Sequence, residues 1–258
     1  MRRQPSVVCH EEGKLAGALR IGTSGWQYRH WRERFYPLEL PAREQLSFYA
    51  DEFDTVELNN SFYRQPSREQ FERWAEQVPA GFIFAAKGSR YVSHVKRLAV
   101  GQSSVDMVVE AARGLREKLG PILFQFPGNW QCDLERLEGF LRMLPDHVRF
   151  TFEFRHDSWL VPPVFDLLRS HRAALCIPDH PNMPQALEVT ADFTYVRMHA
   201  GARGIGYGRA ALEKCAKRLC DWSRRGTDCY VYFNNDAEGY AIRNARTLKE
   251  LLADGADG

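Results

Sequence analysis

Glu57 and Glu153 each place a carboxylate inside an apolar run, in "TVELN" (55–59) and "RFTFEF" (149–154). Lys87 ends "FIFAAK" (82–87) with an amine, and "FTYVRMH" (193–199) carries Arg197 and His199. Side chains of an extended segment alternate between two faces, so spacing sorts each run. Thr55, Glu57 and Asn59 share a face, as do Ile83, Ala85 and Lys87, Leu123 and Gln125, and Thr151, Glu153 and Arg155. Tyr195, Arg197 and His199 follow the same rule, as do Tyr230, Tyr232 and Asn234, and "AALCIPD" (173–179) is expected to add Asp179 to this face. One alternative is a structural plug in which Glu57 and Glu153 pair with Lys87, Arg155 and Arg197. Burying so many ionisable groups costs more than packing apolar side chains, which favours a site over a plug.

The chemistry open to such a set is acid–base. Glu153 or Glu57 would serve as general base and His199 as acid. Lys87, Arg90, Arg155 and Arg197 would clamp an anion, while Gln125 and Asn234 orient the substrate. Adjoining segments add Tyr28 in "SGWQYRHW" (24–31), Asn60, Tyr63 and Arg64 in "NNSFYR" (59–64), and Arg90 and His94 in "KGSRYVSH" (87–94). Trp159 in "FRHDSW" (154–159) and Asn235 beside Asp236 in "FNND" (233–236) complete the set. Aromatic faces among Arg, Asn and Gln suit a sugar or base ring bearing polar or anionic groups.

The leading expectation is therefore a metal-free hydrolase or lyase without a cofactor, acting on an anionic or sugar-phosphate-like small molecule. In an alternative, Glu57, Glu153, Asp179 and His199 ligate a metal in a phosphodiesterase, an endonuclease-like enzyme or an isomerase-like enzyme. Against it, three cations on the same face would repel a divalent ion, and no HxH or HExxH pair occurs. Were the substrate DNA, the loop aromatics could stack bases, but a nucleic-acid partner is not favoured. Glu57 and Glu153 could also hydrolyse a glycosidic bond, Lys87 could form a Schiff base, and a non-catalytic ligand-binding protein is a further alternative.

These residues need a scaffold that brings many strand ends together. Eight short runs rich in β-branched and aromatic residues recur, at 18–24, 55–59, 82–87, 121–126, 149–154, 173–179, 193–199 and 228–235. Most are separated by segments of helical period. "PSREQFERWAEQV" opens with Ser67 and Gln70 as a cap and puts Phe71, Trp74 and Val78 on one face. "SSVDMVVEAARGLREKL" has Ser103 or Ser104 as its expected cap. The segment after the sixth run has room for a short helix at most. Alternating strands and helices imply an α/β fold, here a single-domain (β/α)8 TIM-type barrel with a short or missing helix after strand six. A doubly wound sheet is the rival, but neither GxGxxG after a strand nor GxxxxGK[ST] is present. The polar residues then fall near the C-terminal strand ends, where barrel active sites lie. "GARGIGYG" (201–208) is expected to be a flexible loop near that end.

The 258 residues are 44% hydrophobic and 26% charged, enough for a sizeable core. With 35 basic against 33 acidic residues, the net charge of +2 gives no general signature of a nucleic-acid or membrane binder. The six cysteines form no CxxC pair and are expected to be reduced thiols, in keeping with a cytoplasmic location. Residues 1–17 and 253–258 are expected to be frayed tails flanking a barrel domain over 18–252. No apolar run approaches the roughly 20 residues of a membrane span.

Eight motifs occur in the order characteristic of one family: "IGTSGWQY", "FYPLELP", "TVELNNSFYR", "FIFAAKGSRYVSH", "LFQFPGNW", "EFRHDSW", "YVRMHA" and "YVYFNND". Over roughly residues 18–252 the chain resembles the YecE-like family, domain of unknown function 72. The resemblance implies a TIM-type barrel and supplies no established activity. Barrels of this structural neighbourhood resemble the xylose-isomerase and endonuclease-four-like groups, which often use metals. One departure is "RMHA" where the family pattern leads one to expect His-Gly: His199 is retained and the glycine is delayed to Gly201.

Overall fold

Strands form where β-branched and aromatic residues concentrate: β1 (Leu19–Ser24), β2 (Thr55–Leu58), β3 (Ile83–Lys87), β4 (Leu119–Gln125), β5 (Phe150–Glu153), β6 (Ala174–Asp179), β7 (Phe193–Met198) and β8 (Asp228–Phe233). Each pairs in parallel with the next, and β1 pairs with β8, so the sheet closes into an eight-stranded barrel. This settles the choice against the doubly wound sheet. The computed structural model describes residues 16–59, 62, 65–199 and 206–253. The expected tails lie almost wholly outside the described residues, as do Asn60, Tyr63, Arg64 and residues 201–205 of the glycine-rich loop.

The helices among the described residues are α1 (Gln45–Ala50), α2 (Arg68–Glu76), α3 (Gln102–Ala112), α4 (Leu134–Leu141), α5 (Pro162–Ser170), α6 (Arg209–Arg224) and α7 (Tyr240–Ala253). Residues 180–192, between β6 and β7, contain no helix, as their composition led one to expect. Ser67 caps α2, its hydroxyl accepting from the Gln70 amide at 3.3 Å, and Phe71 and Trp74 are buried beneath the helix. The cap of α3 differs from expectation. It is Gly101, and Ser103 and Ser104 lie inside the first turn. None of the described helices is long and apolar enough to cross a membrane.

Two faces of the sheet build two kinds of core. Val56, Phe84, Phe124, Phe152, Val196 and Val231 pack outward against the helices. Inside the barrel, small Ala85 and Ala174 face a region filled by Tyr195, Tyr230 and Tyr232, so the volumes complement one another. Thr55 Oγ1 and Tyr232 Oη lie 2.7 Å apart, which satisfies a buried phenol. The N-terminal end is closed by ion pairs, Arg20 to Asp54 at 2.6 Å and Arg149 to Asp228 at 2.7 Å. Cys132, Cys176, Cys215 and Cys229 are free thiols. Cys220 is disulfide-bonded, which corrects the expectation of six reduced cysteines.

Candidate functional site at the C-terminal mouth

Register brings the polar strand ends together. Ser24 stands beside Glu57, and Gln125 beside Glu153. Arg197 lies between Pro178 of β6 and Tyr232 of β8. Glu57, Glu153 and Arg197 are all essentially inaccessible to solvent. Arg197 grips Glu57 with two bonds, Nη2 to Oε1 at 2.8 Å and Nε to Oε2 at 3.0 Å. Its remaining Nη1 reaches Glu153 Oε2 at 2.6 Å.

Both carboxylates are further engaged. Ser24 Oγ donates to Glu57 Oε1 at 2.7 Å and Tyr195 Oη to Glu57 Oε2 at 2.7 Å. Gln125 Nε2 and Arg155 Nε donate to Glu153 Oε1 at 2.8 and 2.7 Å. Burial alone would push both acids up. Arg197 overrides it for Glu57, and Arg197 with Arg155 and His199 holds Glu153 well below the ordinary carboxylate range. Two carboxylates held in fixed bonds, with their titration lowered, have the geometry of anchors. Glu57 and Glu153, the expected general bases, have no oxygen exposed to solvent and stand at the floor of the mouth. Arg197, expected as an anion clamp, and Gln125, expected as a substrate contact, are both bonded into this buried network.

Above this layer stand Lys87, Arg155, His199 and His94. Lys87 is half-buried at the end of β3, with Nζ 4.1 Å from the centre of the Phe62 ring. Burial, then Arg197, pushes its amine down to about 8. Arg155 is 30% exposed, and among the described residues its guanidinium makes one hydrogen bond, through Nε. His199 Nδ1 lies 3.0 Å from the Asn234 amide nitrogen. Its Nε2 is buried without a hydrogen-bond partner among the described residues, 4.0 Å from Glu153 Oε2. Burial, then Arg197, lowers His199 to about 4, so the ring is neutral at pH 7. His94 is likewise lowered to about 4 by burial, Lys87 and Arg90; it packs edge-on against Phe62 and sits 2.9 Å from Ser93 Oγ. Arg90 is exposed at the start of the 91–95 turn. On the β1–β2 side, Tyr28 donates to the Ser24 carbonyl at 2.5 Å and also interacts with Asn59.

Three expected residues are withdrawn from the mouth. Asp179 pairs in register with outward-facing Met198, and its carboxylate accepts from Tyr207 Oη at 3.3 Å, so it faces the helices. The inward positions of β6 are Cys176 and Pro178. Trp159 is fully buried, stacks on Phe154 at 4.9 Å and donates its indole N–H to the Trp130 carbonyl. Asn235 is buried and bonds Asn244 of α7 at 3.0 Å, while Asn244 holds the backbone of Tyr207. These three fasten outer layers. Tyr63 lies outside the described residues. Tyr195, expected on the inner face, joins the polar network, as do Ser24 and Cys176, which were missed as site residues although period-two counting through "RIGTS" and "ALCIP" locates them.

The oxygens of Glu57 and Glu153 are taken by Arg197, Arg155, Gln125, Ser24 and Tyr195, and Asp179 faces away. These residues do not fit a divalent ion, and no cluster of three or more His, Cys, Asp or Glu suited to one occurs among the described residues. A cleft of about 630 Å³ lined by Arg20, Asp54, Phe82 and Lys249 lies at the opposite end, remote from this chemistry.

Fold and site together define a TIM-type (β/α)8 barrel whose C-terminal mouth rests on a buried Glu–Arg–Glu layer. The chain belongs to the DUF72 family, "Protein of unknown function DUF72", whose model matches residues 20–257. It is 27% identical over 269 residues to UPF0759 protein YunF of Bacillus subtilis (strain 168), covering 90% of this chain and 94% of YunF. It is 28% identical over 140 residues to UPF0759 protein YecE of Escherichia coli (strain K12), covering 54% of this chain and 49% of YecE. A DUF72 family protein from Thermotoga maritima MSB8 superposes with a TM-score of 0.80 at 28% identity, over 91% of this chain and 98% of that one. One from Enterococcus faecalis V583 shares the fold at a TM-score of 0.79 and 20% identity, over 91% and 95%.

Proposed function

We propose that the barrel mouth is the active site of a metal-free hydrolase or lyase acting on a small anionic molecule. The observation that carries this reading is the division into two layers. Glu57, Arg197 and Glu153 neutralise one another in part below, and Arg155 and Lys87 stand above them. Two carboxylates thus face three cations, and an incoming anion would balance the mouth. Arg155 presents Nη1 and Nη2 as a planar fork suited to a phosphate or carboxylate. Its Nε is fixed by Glu153, so little side-chain freedom would be lost on binding.

Proton transfer falls to Lys87 and His199. A lysine near 8 is close to the value at which a general acid or base works best at neutral pH. A neutral imidazole whose buried Nε2 has no hydrogen-bond partner among the described residues suits donation to, or acceptance from, a substrate atom. Glycoside hydrolysis by the two glutamates has no support, since Arg197 occupies both.

Calorimetric titration with inorganic phosphate tests the anion reading. One binding event per chain in the wild type, lost in Arg155→Met, supports it. Equal heats in both proteins remove Arg155 from the site, and no binding in either removes the anion.

A further inference from the structure

We infer that Asn234 is a positioning residue that fixes His199 as a hydrogen-bond donor at the mouth, and that the substrate carries an acceptor oxygen, of a carbonyl or of a leaving group, close to its anionic group. This deepens the anion-binding reading above and rests on it.

The backbone places both residues first. His199 follows the last residue of β7 and Asn234 the last residue of β8, and those two residues, Met198 and Phe233, are register partners. The His199 backbone amide donates to the Asp179 carbonyl of β6 at 3.1 Å, and the Asn234 backbone amide donates to the Met198 carbonyl at 2.9 Å. The side chains therefore leave adjacent strands at one level, and the Asn234 side-chain nitrogen meets His199 Nδ1 at 3.0 Å.

An amide nitrogen donates and does not accept, so Nδ1 must accept. A neutral imidazole that accepts through Nδ1 carries its proton on Nε2. A second contact agrees. Nε2 lies 4.0 Å from Glu153 Oε2, where an N–H is attracted and a lone pair is repelled. Turning the Asn234 amide over would aim the lone pair at that carboxylate. The His199 side chain is 8% exposed, and burial, then Arg197, disfavours the imidazolium at pH 7. Its Nε2 is buried and has no hydrogen-bond partner among the described residues. A buried N–H in that state is destabilising until something accepts from it.

Glu153 locates the acceptor. Its Oε1 holds Arg155 Nε at 2.7 Å, and its Oε2 is the oxygen beside His199 Nε2. The arginine fork and the imidazole N–H thus flank one carboxylate, and a single small molecule can span them. Loss of the Nε2 proton would leave an imidazolate, so the proton stays on the ring. The N–H then stabilises negative charge as it grows on the substrate oxygen. His199 polarises the substrate, and Asn234 acts through it.

Nuclear magnetic resonance tests this. The full-length chain, isotopically labelled in its histidine nitrogens, is followed by long-range proton–nitrogen spectra at pH 7. His199 is identified among the eight histidines by its loss in His199→Gln or His199→Asn. The expected pattern is a protonated Nε2 and a bare Nδ1. Asn234→Asp, whose carboxylate can only accept, should put a proton on Nδ1, a change that a merely structural asparagine would not cause. Saturating inorganic phosphate should shift the Nε2–H signal, and Arg155→Met should abolish the shift. A proton on Nδ1 in the wild type overturns the donor, and that result needs no folded Asn234 variant. A bare Nδ1 in Asn234→Asp removes Asn234 as its cause. If phosphate binds in the calorimeter and leaves the Nε2–H signal unmoved, the anion reading survives and the acceptor oxygen falls. If phosphate does not bind, both of those fall, and the tautomer is still decided by the free protein.

Discussion

Arg197 and Glu57, from β7 and β2, form a two-bonded pair at 2.8 and 3.0 Å with both side chains sealed from solvent. A third bond from the same guanidinium, to Glu153 of β5, makes Arg197 the tie between three strands that are not neighbours in the sheet. Its role is to fix the floor of the mouth, and it explains why three ionisable groups can be buried at once.

Arg197→Met should therefore be costly. It leaves two carboxylates buried without their shared cation, and breaking one side of a buried pair costs about 3–5 kcal/mol. Urea unfolding should show that loss, and adding Glu57→Gln to the same chain should recover part of it, because the two residues are coupled. A change below about 1 kcal/mol would mean that the network is not a support.

The two acids set the acid limb of stability. Their folded values are depressed, while an unfolded glutamate titrates near about 4.3. The folded chain resists protonation there, so the stabilisation is present above about pH 4.3 and is lost as pH falls below it. The stability difference between wild type and Glu153→Gln, followed by urea unfolding, should shrink as pH is lowered through about 4.3. A difference constant with pH would show that Glu153 is not held ionised.

Lys87 has a dependence of the same sign at the alkaline end. Its folded value, about 8, lies below the ordinary 10.5, so between them the unfolded chain holds the proton and the folded chain does not. Stability contributed by this residue must then rise with pH across that window. Relative to Lys87→Met, the wild type should gain stability from about pH 8 to about 10.5. No relative gain would mean that the amine is ordinary.

The strands were legible because their β-branched and aromatic runs are short and mostly separated by segments of helical period, and period two then placed Glu57, Lys87, Glu153 and Arg197 on the inner face. The same rule applied to β6 puts Cys176 and Pro178 inward and Asp179 outward; the carboxylate at the end of the run was taken by type and not by count. Ser24 was overlooked because a small hydroxyl at a strand end looks like the start of a turn. Trp159 follows β5 through a short 3-10 turn, where neither period applies, and the turn swings the ring onto Phe154. Division of the polar set into a locked floor and an accessible rim depends on which donors meet which oxygens across the barrel, and strand alternation carries no information on that.

The central claim, an anion site resting on Arg155, is tested most directly by thermal melting in millimolar phosphate or sulfate against chloride of equal ionic strength. A ligand at a hundredfold excess over its Kd stabilises a fold by roughly 2.7 kcal/mol. For a chain of this size that corresponds to a rise of about 5 °C. The account predicts such a rise in the wild type and its loss in Arg155→Met. Equal melting temperatures in phosphate, sulfate and matched chloride would contradict it.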